Sequence, residues 1–161
     1  AVMLALDAVY RVKGPRGARD IPARQFYQGT FVTALKEGEI LQQIRIPAPA
    51  AGHGAAYEKQ KRKIGDYATA AAAVILSIQG GSCSAAAIAL TNVGDTPLYA
   101  EAAAKALVGS KLDTVAIGAA VQRARAIARP ASDGRGPADY RIHVAGIMVA
   151  RAIAKAKARA A

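Results

Sequence analysis

The chain has 161 residues, 53% of them hydrophobic, and a formal net charge of +11. That length and apolar content are enough to bury a sizeable core, in one or two small domains. The apolar runs are too short and too alanine-rich to cross a bilayer, and a lone cysteine, Cys83, excludes an internal disulfide and any cysteine-based zinc or iron–sulfur site.

The opening AVMLALDAVY has no basic n-region and meets Asp7 after six residues, so it does not read as a signal peptide. It begins without Met and as if inside a strand, which suggests a piece of a longer protein; single-cysteine usage suggests a reducing cytoplasm. LDAVYRVKG alternates like a strand, and Gly14, Pro15 and Gly17 form a turn into ARDIPARQFY. EILQQIRIP is a second strand, expected to place Ile40, Ile44 and Ile46 on one face and to stop at Pro47. The small-residue stretch APAAGHGA is the best linker candidate, with a boundary near residue 52.

Beyond it, AAAAVILSIQGG and SAAAIALTNVG flank Gly80–Gly81–Ser82 and predict an antiparallel hairpin. Alanine favours helix by propensity, but the β-branched centre and the double glycine favour strands. Asp95 or Thr96 is expected to cap a helix running through LYAEAAAKALVG to Gly109. Asp113 caps a second, TVAIGAAVQRARAIA, and Gly136–Pro137 open a third with Tyr140, Val144, Ile147 and Met148 as its apolar stripe. Strands followed by helices give an α+β class, with the helices on one sheet face.

The basic residues fall into three separated groups: residues 11–24, the run Lys59, Lys61, Arg62 and Lys63, and the last forty residues. None is interleaved with aromatics as a base-stacking surface would be, so a solvated face or a face docked on acidic partners accounts for them better than a nucleic-acid tract. A basic nucleic-acid-binding module and a domain used only for docking remain the alternative readings. His53 and His143 have no metal-ligand spacing, Cys83 has no neighbouring cation to make it a thiolate, and GxSxG, Walker and GxGxxG motifs are absent. For the basic stretch at the mouth of the hairpin, YEKQKRKIGDYA, a phosphate-bearing partner, a flat anionic cofactor and a solvated loop all stay open.

KRKIGDYATAAAAV, IALTNVGDTPLYAEAAAKALVG and PASDGRGPADYRIHVAGIMVARAI resemble, in that order, the C-terminal domain of the flavoprotein medium subunits of molybdenum hydroxylases. This family includes carbon monoxide dehydrogenase, xanthine dehydrogenase and aldehyde oxidoreductases; KRKIGDYATAAAA is most similar to the carbon monoxide branch. The preceding LALDAVYRVKG to EILQQIRIP resembles the end of the same subunit's FAD-binding domain. The resemblance implies residues 1–52 as the tail of an FAD-binding α+β domain, and 53–161 as a three-stranded antiparallel sheet packed with a three-helix bundle. The two glycine-rich loops that wrap the FAD pyrophosphate in this family have no counterpart here. It further implies Leu41 against the flavin ring, Lys59 near the ring's polar edge, and Lys61 to Asp66 as the loop bordering it. The implied function is electron transfer through FAD to an external acceptor, with no catalytic acid, base or nucleophile on this chain and no nucleic acid. The implied partners are an iron–sulfur small subunit and a molybdopterin large subunit.

Overall fold

In the computed structural model, which describes residues 1–160, the chain opens with a helical turn, α1 (Val2–Ala5), not a strand. Leu4 and Ala5 are buried there, and Asp7, at φ 51°, turns the backbone out of the helix before the alternating residues begin. The predicted strand therefore starts only at β1 (Val9–Gly14). It pairs antiparallel with β2 (Gly17–Pro22) through a tight turn in which Gly17 takes φ 106°. A helical turn α2 (Ala23–Phe26), the small ribbon β3 (Tyr27–Gly29) with β4 (Val32–Thr33), and β5 (Ile40–Arg45) follow.

The first sheet has the order β2-β1-β5. Its register shifts: Arg11 faces Gln43 but Val12 faces Leu41, which leaves Gln42 bulged. The bulge reverses the alternation, so Leu41 and Ile44 share the face of Val12 and Tyr10, whereas Ile40 lies opposite Lys13 on the other. Ile40 and Ile44 thus do not share a face as the unbroken period predicts.

The second sheet is β6 (His53–Gln60), β7 (Ala70–Gln79), β8 (Ser82–Thr91) and β9 (Leu98–Tyr99), antiparallel in that order. It has four strands where three were expected. The fourth is built from residues predicted to be helical: Leu98 and Tyr99 pair with Leu90 and Ala89, and Ala100 N–H donates to Ile88 O (2.8 Å). The helix is consequently reduced to α3 (Glu101–Lys105), uncapped by either Asp95 or Thr96.

The β7–β8 hairpin forms as predicted, and its alanines have a packing role. Ala70, Ala72, Val74 and Leu76 face one core, which α4 (Thr114–Ile127) and α5 (Ala138–Arg159) complete; Ala73 and Ala89 face a second core built by α1, β1, β2 and α2. A sheet covered on both faces favours small side chains because they let both layers approach closely. Asp113 caps α4 by accepting from Ala116 N–H (2.9 Å). On α5 the buried stripe is rotated by one residue from expectation: Arg141, Val144, Ala145, Met148, Val149, Ala152 and Ile153 are buried, while Tyr140 is exposed. α3, α4 and α5 pack on one face of the second sheet, but α3 is too short to make the expected three-helix bundle. No helix among the described residues is long and apolar enough to cross a membrane.

Glu39 ties the segment before β5 to β2. It accepts from Arg19 Nε (2.9 Å) and Nη2 (2.8 Å), and from Lys36 N–H (2.8 Å). The Arg19 bonds first, and then the Lys36 amide, bring its carboxyl down from the ordinary 4.5 to about 2. A depressed carboxylate contributes stability fully above its unfolded value and loses it as pH falls through its folded value. Glu39→Gln should therefore flatten the fall of the urea midpoint between pH 4.5 and about 2. Parallel curves for the two proteins would contradict this.

Candidate functional site

Lys59 is the penultimate residue of β6, where residues alternate between two faces. Gly54 and Ala56 point to α5; Tyr57, paired with Ala73, and Lys59, paired with Ala71, point to the face that carries the second core. Lys59 therefore stands on the side of the sheet where the N-terminal elements pack. Its Nζ donates to the carbonyl of Asp66 (2.8 Å), closing the loop that follows β6. Within that loop Gly65 takes φ 84°, Asp66 N–H donates to Lys63 O (3.3 Å), and Arg62 reaches the Asp66 carboxylate at 3.7 Å. Lys61, Arg62 and Lys63 remain exposed, as do Ile64 (92%) and Tyr67 (72%).

The structure thus brings two of the three predicted residues together. Leu41 stands apart, on the edge strand of the first sheet; it is exposed and belongs to neither core cluster. A recess of about 400 Å³ opens beside Tyr67 and is lined by Thr30, Asn92, Asp95, Asp133 and Arg135. The two histidines lie elsewhere: His53 Nδ1 is 2.9 Å from Ala50 O, and His143 Nδ1 is 3.4 Å from Arg125 Nη2. Cys83 is buried at the start of β8, and burial pushes its thiol up, away from the reactive thiolate.

Arg141, Asp133, Asn92 and Tyr67 escaped the sequence reading. The signal for Arg141 was present, since a basic residue three positions before Val144 falls on the helix's apolar stripe. Asn92 and Tyr67 meet partners distant in sequence, Ala68 and Arg141 for the one and Arg135 for the other, whereas Asp133 pairs with the nearby Arg135 and Arg141.

Chemically, exposed apolar side chains beside a fixed ammonium suit a flat aromatic group with a polar or anionic edge. Chemistry of this kind would suit the ring end of FAD rather than its pyrophosphate.

A family model described as the CO dehydrogenase flavoprotein C-terminal domain matches residues 55–156, and one described as the FAD binding domain in molybdopterin dehydrogenase matches residues 1–49. The chain belongs to the CO dehydrogenase flavoprotein C-terminal domain family. It is 59% identical over 160 residues to the carbon monoxide dehydrogenase medium chain of Afipia carboxidovorans, covering 99% of this chain and 56% of that one. It is 46% identical to the medium chain from Hydrogenophaga pseudoflava, covering 100% and 56%. Its fold is similar to that of a chain in the reconstituted CO dehydrogenase from Oligotropha carboxidovorans, with TM-score 0.97, 59% identity, and coverage of 99% and 56%. The chain thus spans about half the length of the curated relatives it matches.

Proposed function

We propose that this chain is the ring-facing part of an FAD-carrying medium subunit in a carbon monoxide dehydrogenase-like molybdenum hydroxylase, an oxidoreductase of the cytoplasm. Residues 1–52 belong to its FAD-binding domain and 53–161 to its C-terminal domain. The observation that carries the reading is the closure of the basic loop by Lys59 on Asp66, on the sheet face toward the N-terminal elements. FAD held here would supply electron transfer between iron–sulfur clusters and an external acceptor. Leu41, although it stands apart from Lys59 on the edge of the first sheet, is the exposed apolar side chain that the family resemblance sets against the ring. Lys59 offers positive charge to its polar edge, which favours added electrons. Asp66 keeps that ammonium in place through its carbonyl, so the charge is pre-positioned rather than free to swing away. None of these groups moves a proton on a substrate; oxidation takes place on the molybdopterin large subunit, and the iron–sulfur small subunit lies between.

Removal of FAD tests the reading. In the assembled enzyme, stripping FAD should leave reduction of the iron–sulfur clusters by substrate nearly unchanged, while reduction of the acceptor stops and returns when FAD is added back. Acceptor reduction that survives the loss of FAD would overturn it.

A further inference from the structure

Arg141 lies in the first turn of α5 and is 5% exposed, on a stripe that is otherwise apolar. A buried guanidinium is tolerated only when its donors are satisfied, and an apolar residue of similar volume usually serves packing better. Here Nε donates to Thr69 O (3.2 Å), Nη1 to Ala131 O (2.7 Å), and Nη2 to Asn92 O; Nη1 also lies 3.0 Å from Asp133 Oδ2. Thr69 is the last residue before β7, and Asn92 the first after β8. One side chain therefore grips both strands where the basic loop enters the sheet.

The grip extends along the loop. Thr69 N–H donates to Gln60 O (2.8 Å), the loop's other root, and Asn92 Nδ2 donates to Ala68 O (2.9 Å). Asn92 is held at φ 61°, a conformation that its short polar side chain tolerates. On the outer side, Asp133 is shared between Arg141 and Arg135 (2.9 Å), and the Arg135 guanidinium lies 5.5 Å from the centre of the Tyr67 ring. A path of contacts thus runs from α5 to both ends of the segment 60–69.

From this geometry we infer that Arg141 is a positioning residue: with Asp133 and Arg135 it sets where the loop 61–69 and Tyr67 stand. Its bearing on FAD rests on the reading of that loop as the cofactor's border. Lysine cannot replace it, because a single ammonium cannot reach carbonyls in three directions as the planar fork does.

The test uses the assembled enzyme stripped of FAD, with Arg141→Lys and Asp133→Asn compared with the natural chain. In Arg141→Lys, amide hydrogen exchange across 61–69 should quicken about 10-fold while β7 and β8 stay within about 2-fold. Asp133→Asn alters a carboxylate at the surface, so it folds even if Arg141→Lys does not; it should give a smaller rise, about 3-fold, in the same segment. On adding FAD, its Kd should rise about 10-fold in Arg141→Lys, since small displacements of positioning groups have large effects. Unchanged loop exchange in both variants, or loss of protection spread evenly over β7 and α5, overturns the positioning role. Faster loop exchange with an unchanged Kd and flavin spectrum leaves the positioning role standing and overturns the loop's assignment to FAD.

Discussion

Gly54→Ala is expected to destabilise the protein by about 3 kcal/mol, which for a chain of this size lowers the thermal midpoint by roughly 10 °C. Gly54 sits on the inner face of β6, opposite Leu76, where α5 ends. A Cβ there would collide with the Ala156 carbonyl oxygen and stand 2.6 Å from Ala160 N. Both are backbone atoms of the helix end, so no side-chain rotation relieves the contact. Either β6 leaves its register with β7 or the end of α5 lifts from the sheet, and each uncovers part of the main core. Gly146→Ala is the informative control. The three atoms nearest to its Cβ would all belong to the Arg125 guanidinium, a side chain that can turn aside as backbone cannot, and alanine gains about 1 kcal/mol of helix propensity over glycine. That variant should unfold within about 1 kcal/mol of the natural chain. Equal stability of the two variants, measured by thermal and urea unfolding, would show that β6 and α5 are not in the close contact described.

Much of this architecture is legible locally. The β7–β8 hairpin follows from the double glycine and the β-branched centre, and α4 from the Asp113 cap. The alanine runs are strands because both sheet faces are covered, a tertiary cause that the β-branched neighbours hint at but propensity opposes. The differences share another cause: each depends on pairing or packing with a separate segment, which the local pattern does not reveal. Leu98 and Tyr99 look helical until the edge of β8 captures them. Ile40 and Ile44 look like one face until a bulge forced by pairing with β1 separates them. On α5, Tyr140 attracts attention as the apolar residue, yet Arg141 is buried because three carbonyls converge on it.

The candidate site divides in the same way. A cluster of lysines before a buried strand is visible as a pattern, and family resemblance singles out Leu41, Lys59 and Asp66. That Asp66 contributes its backbone carbonyl to the Lys59 ammonium, while its carboxylate faces Arg62, is visible only in three dimensions.

If Lys59 presents its charge to the FAD ring, Lys59→Glu in the assembled enzyme shifts the flavin's potential. A unit charge several ångströms away at an effective dielectric of about 20 contributes on the order of 2 kcal/mol, and reversing it doubles the change. Lys59 is exposed, so solvent and the neighbouring Lys61, Arg62 and Lys63 screen much of this. A net effect of about 1–2 kcal/mol corresponds to a one-electron potential lowered by roughly 50–80 mV. Anaerobic redox titration of the flavin, with rapid-mixing separation of the two half-reactions, is the measurement. The expected result is a lowered flavin potential and slower transfer to the acceptor, with reduction of the molybdenum centre by substrate nearly normal. A flavin potential and reoxidation rate unchanged in Lys59→Glu would contradict it and return the lysine cluster to a solvated loop.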